Sequence, residues 1–447
     1  MVTADGIEPF DHFDAVFMID PYPGYERLRR ECPVHHSERH GGFFVLSKFR
    51  DVYHAAQHYE IFSSRGDALA IPPNDARPLP ITVDPPEHRR YRTVMAAYFS
   101  PRRVERMEPE VRRLAQELID GFVDRGTCDI SGELTSALPT MMLARMLGVP
   151  TGDTHRFHDW VDTIVYGAAA DAVESARAAA DLDAYVLAML AAHASAPADH
   201  TFLTVMRDAS FEGGPLTLDE QKRMVVQLIF GALHTTTYLV NGALLLLDDD
   251  RDARARLIGE PRLMESAVEE FLRMIAPVQG IARKVVRPAE CFGHAFETED
   301  RVLLLWASAN RDADEFPDAD RLVLDRSPNR HIAFGVGVHR CVGAPLGRLQ
   351  TRVMLEELLR RLPDYSIPDR DAIVWGASST RGIITLPIVW PTPEGRAGTG
   401  RRRVNARRPS SGLPGSVVRG RRAARGRHAG PCGRRSHRFR RHRHADN

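Results

Sequence analysis

Residues 334–343 read Phe-Gly-Val-Gly-Val-His-Arg-Cys-Val-Gly, and they hold the chain's clearest chemistry. Cys341 sits among Gly335, Gly337 and Gly343, with His339 two residues before it and a helix-forming stretch, 344–359, directly after. Glycines let backbone N–H groups turn inward onto an anion. A thiolate at Cys341 would be stabilised by those groups and by the N-terminus of the following helix. An arbitrary cysteine in a Gly-rich turn is more often a buried free thiol. Here the flat aromatic at Phe334, the spaced glycines and the histidine point to a shielded thiolate suited to be an axial ligand of haem iron.

This decapeptide resembles the haem-binding signature of the cytochromes P450, F-x-x-G-x-x-x-C-x-G, in its bacterial form with His two before Cys. The resemblance runs from about Asp20 to Trp390, with several further motifs in the family's order. Phe230-Gly-Ala-Leu-His-Thr-Thr-Thr237 matches the oxygen-binding kink [AG]-G-x-[DE]-T-[TS]. The match implies that Gly231 and Ala232 leave room for O2 and that the Thr235 hydroxyl hydrogen-bonds it. His234 stands where most of the family has Asp or Glu. An imidazole can also shuttle protons, so Thr235 and His234 become the catalytic candidates.

Haem carries two propionates and needs fixed cations around them. Asp84-Pro-Pro-Glu-His-Arg-Arg-Tyr-Arg92 matches the family's D-P-P-E-H-x-x-x-R, which implies propionate contacts from His88 and Arg92, one helical turn apart. Arg283 and His339 match the remaining propionate positions. Arg89 and Arg90 read as a solvated basic face. Glu270-Phe-Leu-Arg273 is E-x-x-R at i,i+3, and alone an exposed pair of this kind means little. Followed by Asp320-Arg321 in a Pro-containing meander, it resembles the family's Glu-Arg-Arg triad, which implies a structural role for Glu270, Arg273 and Arg321. The resemblance thus gives Cys341 as metal ligand, haem b as cofactor and O2 as co-substrate. It also places Phe334, Gly335, Gly343, Gly231 and Ala232 against the haem.

Those residues must be held by a largely helical chain. Apolar residues recur at three and four over 101–124, 262–275 and 344–361. The longest helix starts at the capping box Thr217-Leu-Asp-Glu220 and runs to about Leu247. Its middle should loosen, because three consecutive β-branched threonines beside Gly-Ala make poor helix. Alternating runs at Phe43–Ser47, Val302–Trp306 and Ile383–Val389 read as strands. The expected fold is mainly α with small β-sheets (α+β), and the resemblance implies the P450 fold, with haem buried between the long central helix and the cysteine loop.

A chain of 447 residues, 43% hydrophobic, can bury a substantial core. Five scattered cysteines with no C-x-x-C suggest a reducing compartment and no zinc site. The N-terminus lacks the apolar run of a leader or anchor, so a cytoplasmic protein without membrane attachment is expected. The net charge of +1 hides a division: residues 396–447 hold 17 Arg against one acid, Asp446, so that segment carries about +16 and residues 1–395 about −15. Residues 1–395 are expected to form the P450 domain. The Arg/Gly/Pro-rich remainder is too poor in large apolar side chains to fold alone and is expected to be disordered. Such a basic tail could bind nucleic acid non-specifically, although a tail without function is the plainer reading.

The expected activity is that of a monooxygenase inserting one atom of O2 into an apolar small molecule. Its electrons would come from a ferredoxin, or less often a flavodoxin, with its NAD(P)H reductase. Arg340, flanked by Arg330 and Arg348, would offer positive charge to an acidic donor. The resemblance implies a pocket lined by 68–81, 160–169, 230–235, 278–282 and 378–380, mostly small and apolar. Two rival readings stay open. One is a haem-thiolate peroxygenase or atypical P450 reaction, motivated by His234. The other is a non-catalytic haem protein that binds a ligand.

Overall fold

The computed structural model describes residues 10–11, 14, 17 and 19–392, apart from 73–75, 167–170, 210 and 212–213, together with 417–419. Eight helices build the region of interest: α1 (Glu87–Tyr98), α2 (Ala137–Leu147), α3 (Thr154–Tyr166), α4 (Ala172–His193), α5 (Leu218–Leu233), α6 (Thr235–Asp249), α7 (Met264–Ile275) and α8 (Ala344–Arg361). The strands are β1 (Val34–Ser37), β2 (Phe43–Leu46), β3 (Phe62–Ser63), β4 (Thr127–Asp129), β5 (Ile281–Val285), β6 (Ala289–Cys291), β7 (His294–Phe296), β8 (Arg301–Leu304), β9 (Val374–Ala377), β10 (Arg381–Thr385), β11 (Pro387–Val389) and β12 (Val417–Arg419). The largest sheet runs β1-β2-β8-β5-β3, and only its β2–β8 pair is parallel.

Two apolar clusters hold this body together. A small one covers the five-stranded sheet through Leu46, Phe62, Val302, Leu304 and Trp306. The large one joins α5 and α6 to α7, α8 and β10, centred on Leu233, Val240, Leu244, Phe271, Val353 and Leu358. Burying each such side chain contributes about 1.5–3 kcal/mol. By length and composition the 32 residues Leu218–Asp249 could cross a membrane, but 67% of the relevant window is buried within the protein, as in a core helix.

The central helix begins as anticipated. Thr217 Oγ1 accepts from Glu220 N at 3.2 Å, and Glu220 Oε2 accepts from Thr217 N at 2.6 Å. The loosening is a full break at His234 (φ −98, ψ −34). Thr235 Oγ1 donates to the Gly231 carbonyl at 3.0 Å, and Thr237 Oγ1 donates to Leu233 O at 3.1 Å. Such side-chain back-bonding competes with the i→i−4 ladder and bends helices.

Three expectations need correction. The stretch 101–124 is two helices, Pro101–Glu105 and Glu108–Asp120, because Pro109 starts the second one. The stretch 262–275 is a short 3₁₀ turn at Pro261–Leu263 followed by α7. Within the Arg-rich segment, Val417–Arg419 form β12, antiparallel to β9, so these three residues have regular structure. The rest of 396–447, except for 417–419, lies outside the described residues.

Candidate haem-thiolate site

The cysteine loop is built on its glycines. Gly335 and Gly337 have φ of +65 and +73, and a Cβ on Gly337 would lie 2.6 Å from the Ala56 carbonyl oxygen. Neither position accepts another residue without strain. Cys341 N donates to Phe334 O at 2.8 Å, closing the loop, and α8 starts three residues beyond Cys341 with Pro345 in its first turn. Although the residue is exposed, loss of water around its sulfur pushes the Cys341 thiol up. The backbone N–H groups of Gly343 and Ala344, with the charges of Arg92 and Arg348, pull it down without fully compensating.

Above this loop four basic side chains converge. His88 and His339 meet edge to face at 4.6 Å. His88 and Arg283 are only 3% and 4% exposed. Arg283 Nη1 donates to its neighbour's carbonyl, Ala282 O, at 2.7 Å, and among the described residues it makes no ion pair. Nε2 of both His88 and His339 is buried without a hydrogen-bond partner. The nearest acid, Asp84, lies 3.8 Å from His339 Nε2 and is engaged by Ser64 N. Burial holds Arg283 down to about 10, and burial with repulsion from His339 and Arg92 holds His88 down to about 4. Buried polar groups normally find partners, so this arrangement asks for an anion. The two carboxylates of a haem fit it.

Sequence reading put Glu270 and Arg273 together, and they are: both side chains are fully buried and joined by two 2.8 Å hydrogen bonds. The third member is Arg326, not Arg321. Arg326 Nε reaches both Glu270 oxygens at 3.0 and 3.2 Å, while Arg321 contributes only its carbonyl, which accepts from Arg273 Nη2 at 3.1 Å. Arg326 stands five residues later in the same meander, and charge pattern alone does not choose between them. The expected basic patch is also altered. Arg348 donates to both oxygens of Glu269 at 2.6 and 2.7 Å and lies 4.6 Å over the Phe334 ring. Arg330 pairs with Glu315. Arg340 remains exposed, with no ion pair among the described residues.

At the helix break, Thr235 spends its hydroxyl hydrogen on Gly231 O, so it presents lone pairs where it was expected to donate. His234 Nε2 lies 2.8 Å from Asp162 Oδ1 on α3, a partner absent from the sequence reading because it lies 72 residues away. Tyr166, in a segment expected to be small and apolar, joins a polar corner: its hydroxyl touches that of Tyr238, on which the His234 ring stacks.

A cysteine in a glycine-built loop, basic side chains beside it with buried unpartnered nitrogens, and an interrupted helix in a mostly helical fold define a haem-thiolate protein. The chain belongs to the cytochrome P450 family, whose sequence model matches residues 39–371. Cytochrome P450 130 of Mycobacterium tuberculosis is 34% identical over 388 residues, 83% of this chain and 95% of that protein. Vitamin D(3) 25-hydroxylase of Pseudonocardia autotrophica is 30% identical over 400 residues, 87% and 98% of the two chains. Among solved structures, CYP109E1 of Bacillus megaterium in complex with testosterone superposes with a TM-score of 0.78, covering 84% of this chain and 98% of that one at 29% identity. The protein is a P450 monooxygenase whose family binds haem through a cysteine thiolate and uses O2.

Proposed function

We propose that residues 1–395 form a ferredoxin-dependent monooxygenase acting in the cytoplasm on a bulky apolar small molecule, with Cys341 as the iron ligand. The basic set His88, Arg92, Arg283 and His339 beside the Cys341 loop, with Nε2 of both histidines buried and unpartnered and Arg283 in no ion pair among the described residues, carries this reading. When bound, haem supplies the reductive activation of O2. The chain's own groups do the rest. Cys341 would supply the sulfur ligand, and Arg92 and Arg283 with the ring N–H groups of His88 and His339 would hold the propionates. Phe334 anchors the loop through its carbonyl, Gly335 and Gly343 keep bulk away from the sulfur, and Gly231 and Ala232 would keep bulk away from the opposite face. Thr235 accepts a hydrogen bond at the helix break, and His234 moves a proton there.

Relatives named as a vitamin D(3) 25-hydroxylase and a steroid C26-monooxygenase, and a neighbour solved with testosterone, support a large, rigid, apolar substrate. The Tyr166–Tyr238 corner supports a polar group at one end of it. The peroxygenase alternative was motivated by a missing acid, and Asp162 beside His234 removes that motive.

Two measurements test the assignment. Reduced protein with CO should show the absorption band of a trans thiolate, and Cys341→Ser should abolish it while the other cysteines prove dispensable. Thr235→Ala should keep NADPH oxidation but divert electrons into hydrogen peroxide. Retention of the thiolate band without Cys341 refutes the ligand assignment.

A further inference from the structure

His234 is gripped on several sides. Its ring stacks on Tyr238 of α6 at 5.6 Å and 7°, and Tyr166 and His158 of α3 each lie 5.8 Å away. The Tyr166 and Tyr238 hydroxyls hydrogen-bond one another, and burial raises both phenols, so neither ring carries charge. His158 Nε2 is occupied by Thr140 Oγ1 at 2.6 Å and Ser136 Oγ at 3.2 Å. Burial, then repulsion from His234, holds His158 down to about 4, so it is neutral at physiological pH. Among the described residues touching His234, Asp162 is therefore the charged one. Its side chain is 36% exposed and that of His234 12%, so the pair spans from solvent to the helix break.

We propose that Asp162 is a positioning residue for oxygen activation: its carboxylate accepts from His234 Nε2–H, fixes that tautomer and stabilises the imidazolium. The inference rests on His234 serving as the proton carrier. Nδ1 then becomes the exchanging nitrogen. It takes one proton from solvent water and releases one toward the Thr235 side, while Nε2 keeps its hydrogen and Asp162 its charge. The carboxylate that this stretch of central helix lacks is supplied across the α3–α5 contact.

The experiment uses holoprotein labelled with ¹⁵N-histidine, in its diamagnetic ferrous–CO form, with the His234 resonances identified by their absence in His234→Ala. Wild type should show a protonated Nε2 and a bare Nδ1, and Asp162→Ala should move both toward the averaged position of a tautomer mixture. NADPH consumption with a surrogate ferredoxin and reductase, without added substrate, should fall on the order of tenfold in Asp162→Ala. Removing an orienting group costs less than removing a general acid, which is worth roughly 10²–10⁴-fold. Asp162→Glu should restore both readouts in part. An unchanged ¹⁵N pattern in Asp162→Ala overturns the positioning role even if His234→Ala is slow. Unchanged NADPH consumption in His234→Ala instead overturns the relay on which the role depends.

Discussion

Arg283 and His88 are buried together beside the cysteine loop without an anion between them, although Asp84 lies close enough to attract both. In the haem-free protein this arrangement opposes folding, and with propionates present it binds. Arg283→Met should therefore leave the haem-free fold equally or more stable, since the change removes the desolvation cost of a buried charge that has no ion-pair partner among the described residues. The same change should speed haem loss to an acceptor protein by at least tenfold. Thermal melts of both forms and a haem-transfer assay check it, and a destabilised haem-free protein contradicts it.

The Glu270 cluster separates two neighbouring arginines. Arg326→Met leaves a fully buried carboxylate short of a partner and should cost about 3 kcal/mol, whereas Arg321→Met removes no side-chain partner of Glu270 and should stay within about 0.5 kcal/mol. Denaturant titration of both variants decides between them.

A pH dependence follows from His158. Its folded-state value of about 4 lies below the ordinary 6.5, so the unfolded chain binds the extra proton first as pH falls. Stability should decline from pH 6.5 toward 4 and flatten below, by roughly 3 kcal/mol at most. His158→Gln should remove this component, which unfolding curves at pH 7, 5.5 and 4.5 would show as a flatter profile than wild type.

Electron delivery can be dissected at two arginines. Arg340→Glu should slow reduction by an acidic ferredoxin at low salt, with the difference vanishing as salt screens it, while substrate affinity is unchanged. Arg348→Glu should do more harm. It breaks the pair that, against the upward push of burial, holds Glu269 near 2 and supports His331 and Phe334, so haem content and stability should fall as well. Stopped-flow reduction across ionic strength, alongside haem content, distinguishes the two.

Local pattern carried much of this far. The cysteine loop, the capping box at Thr217 and helix α8 over 344–361 follow from spacing and turn chemistry, which act over a few residues. The break at His234 also announced itself in three threonines following Gly-Ala. Pro109 was in plain view and marks the start of a second helix where periodicity alone suggests one. Other features depend on which distant groups meet. Asp162 finds His234 only after α3 packs on α5, and Arg326 outcompetes Arg321 for Glu270 only once the meander is folded. The Tyr166–Tyr238 contact is of the same kind, made across 72 residues.

The strand Val417–Arg419 has a bearing on how the protein should be handled. It lies along β9, where Val374 and Trp375 would otherwise offer unpaired N–H and C=O groups to solvent. An open edge of that kind recruits strands from other molecules and seeds aggregation. The Arg-rich extension, which looks dispensable by composition, thus carries a built-in cap for the β9–β10 sheet, and a chain cut shortly after Trp390 would trade a basic tail for a sticky border.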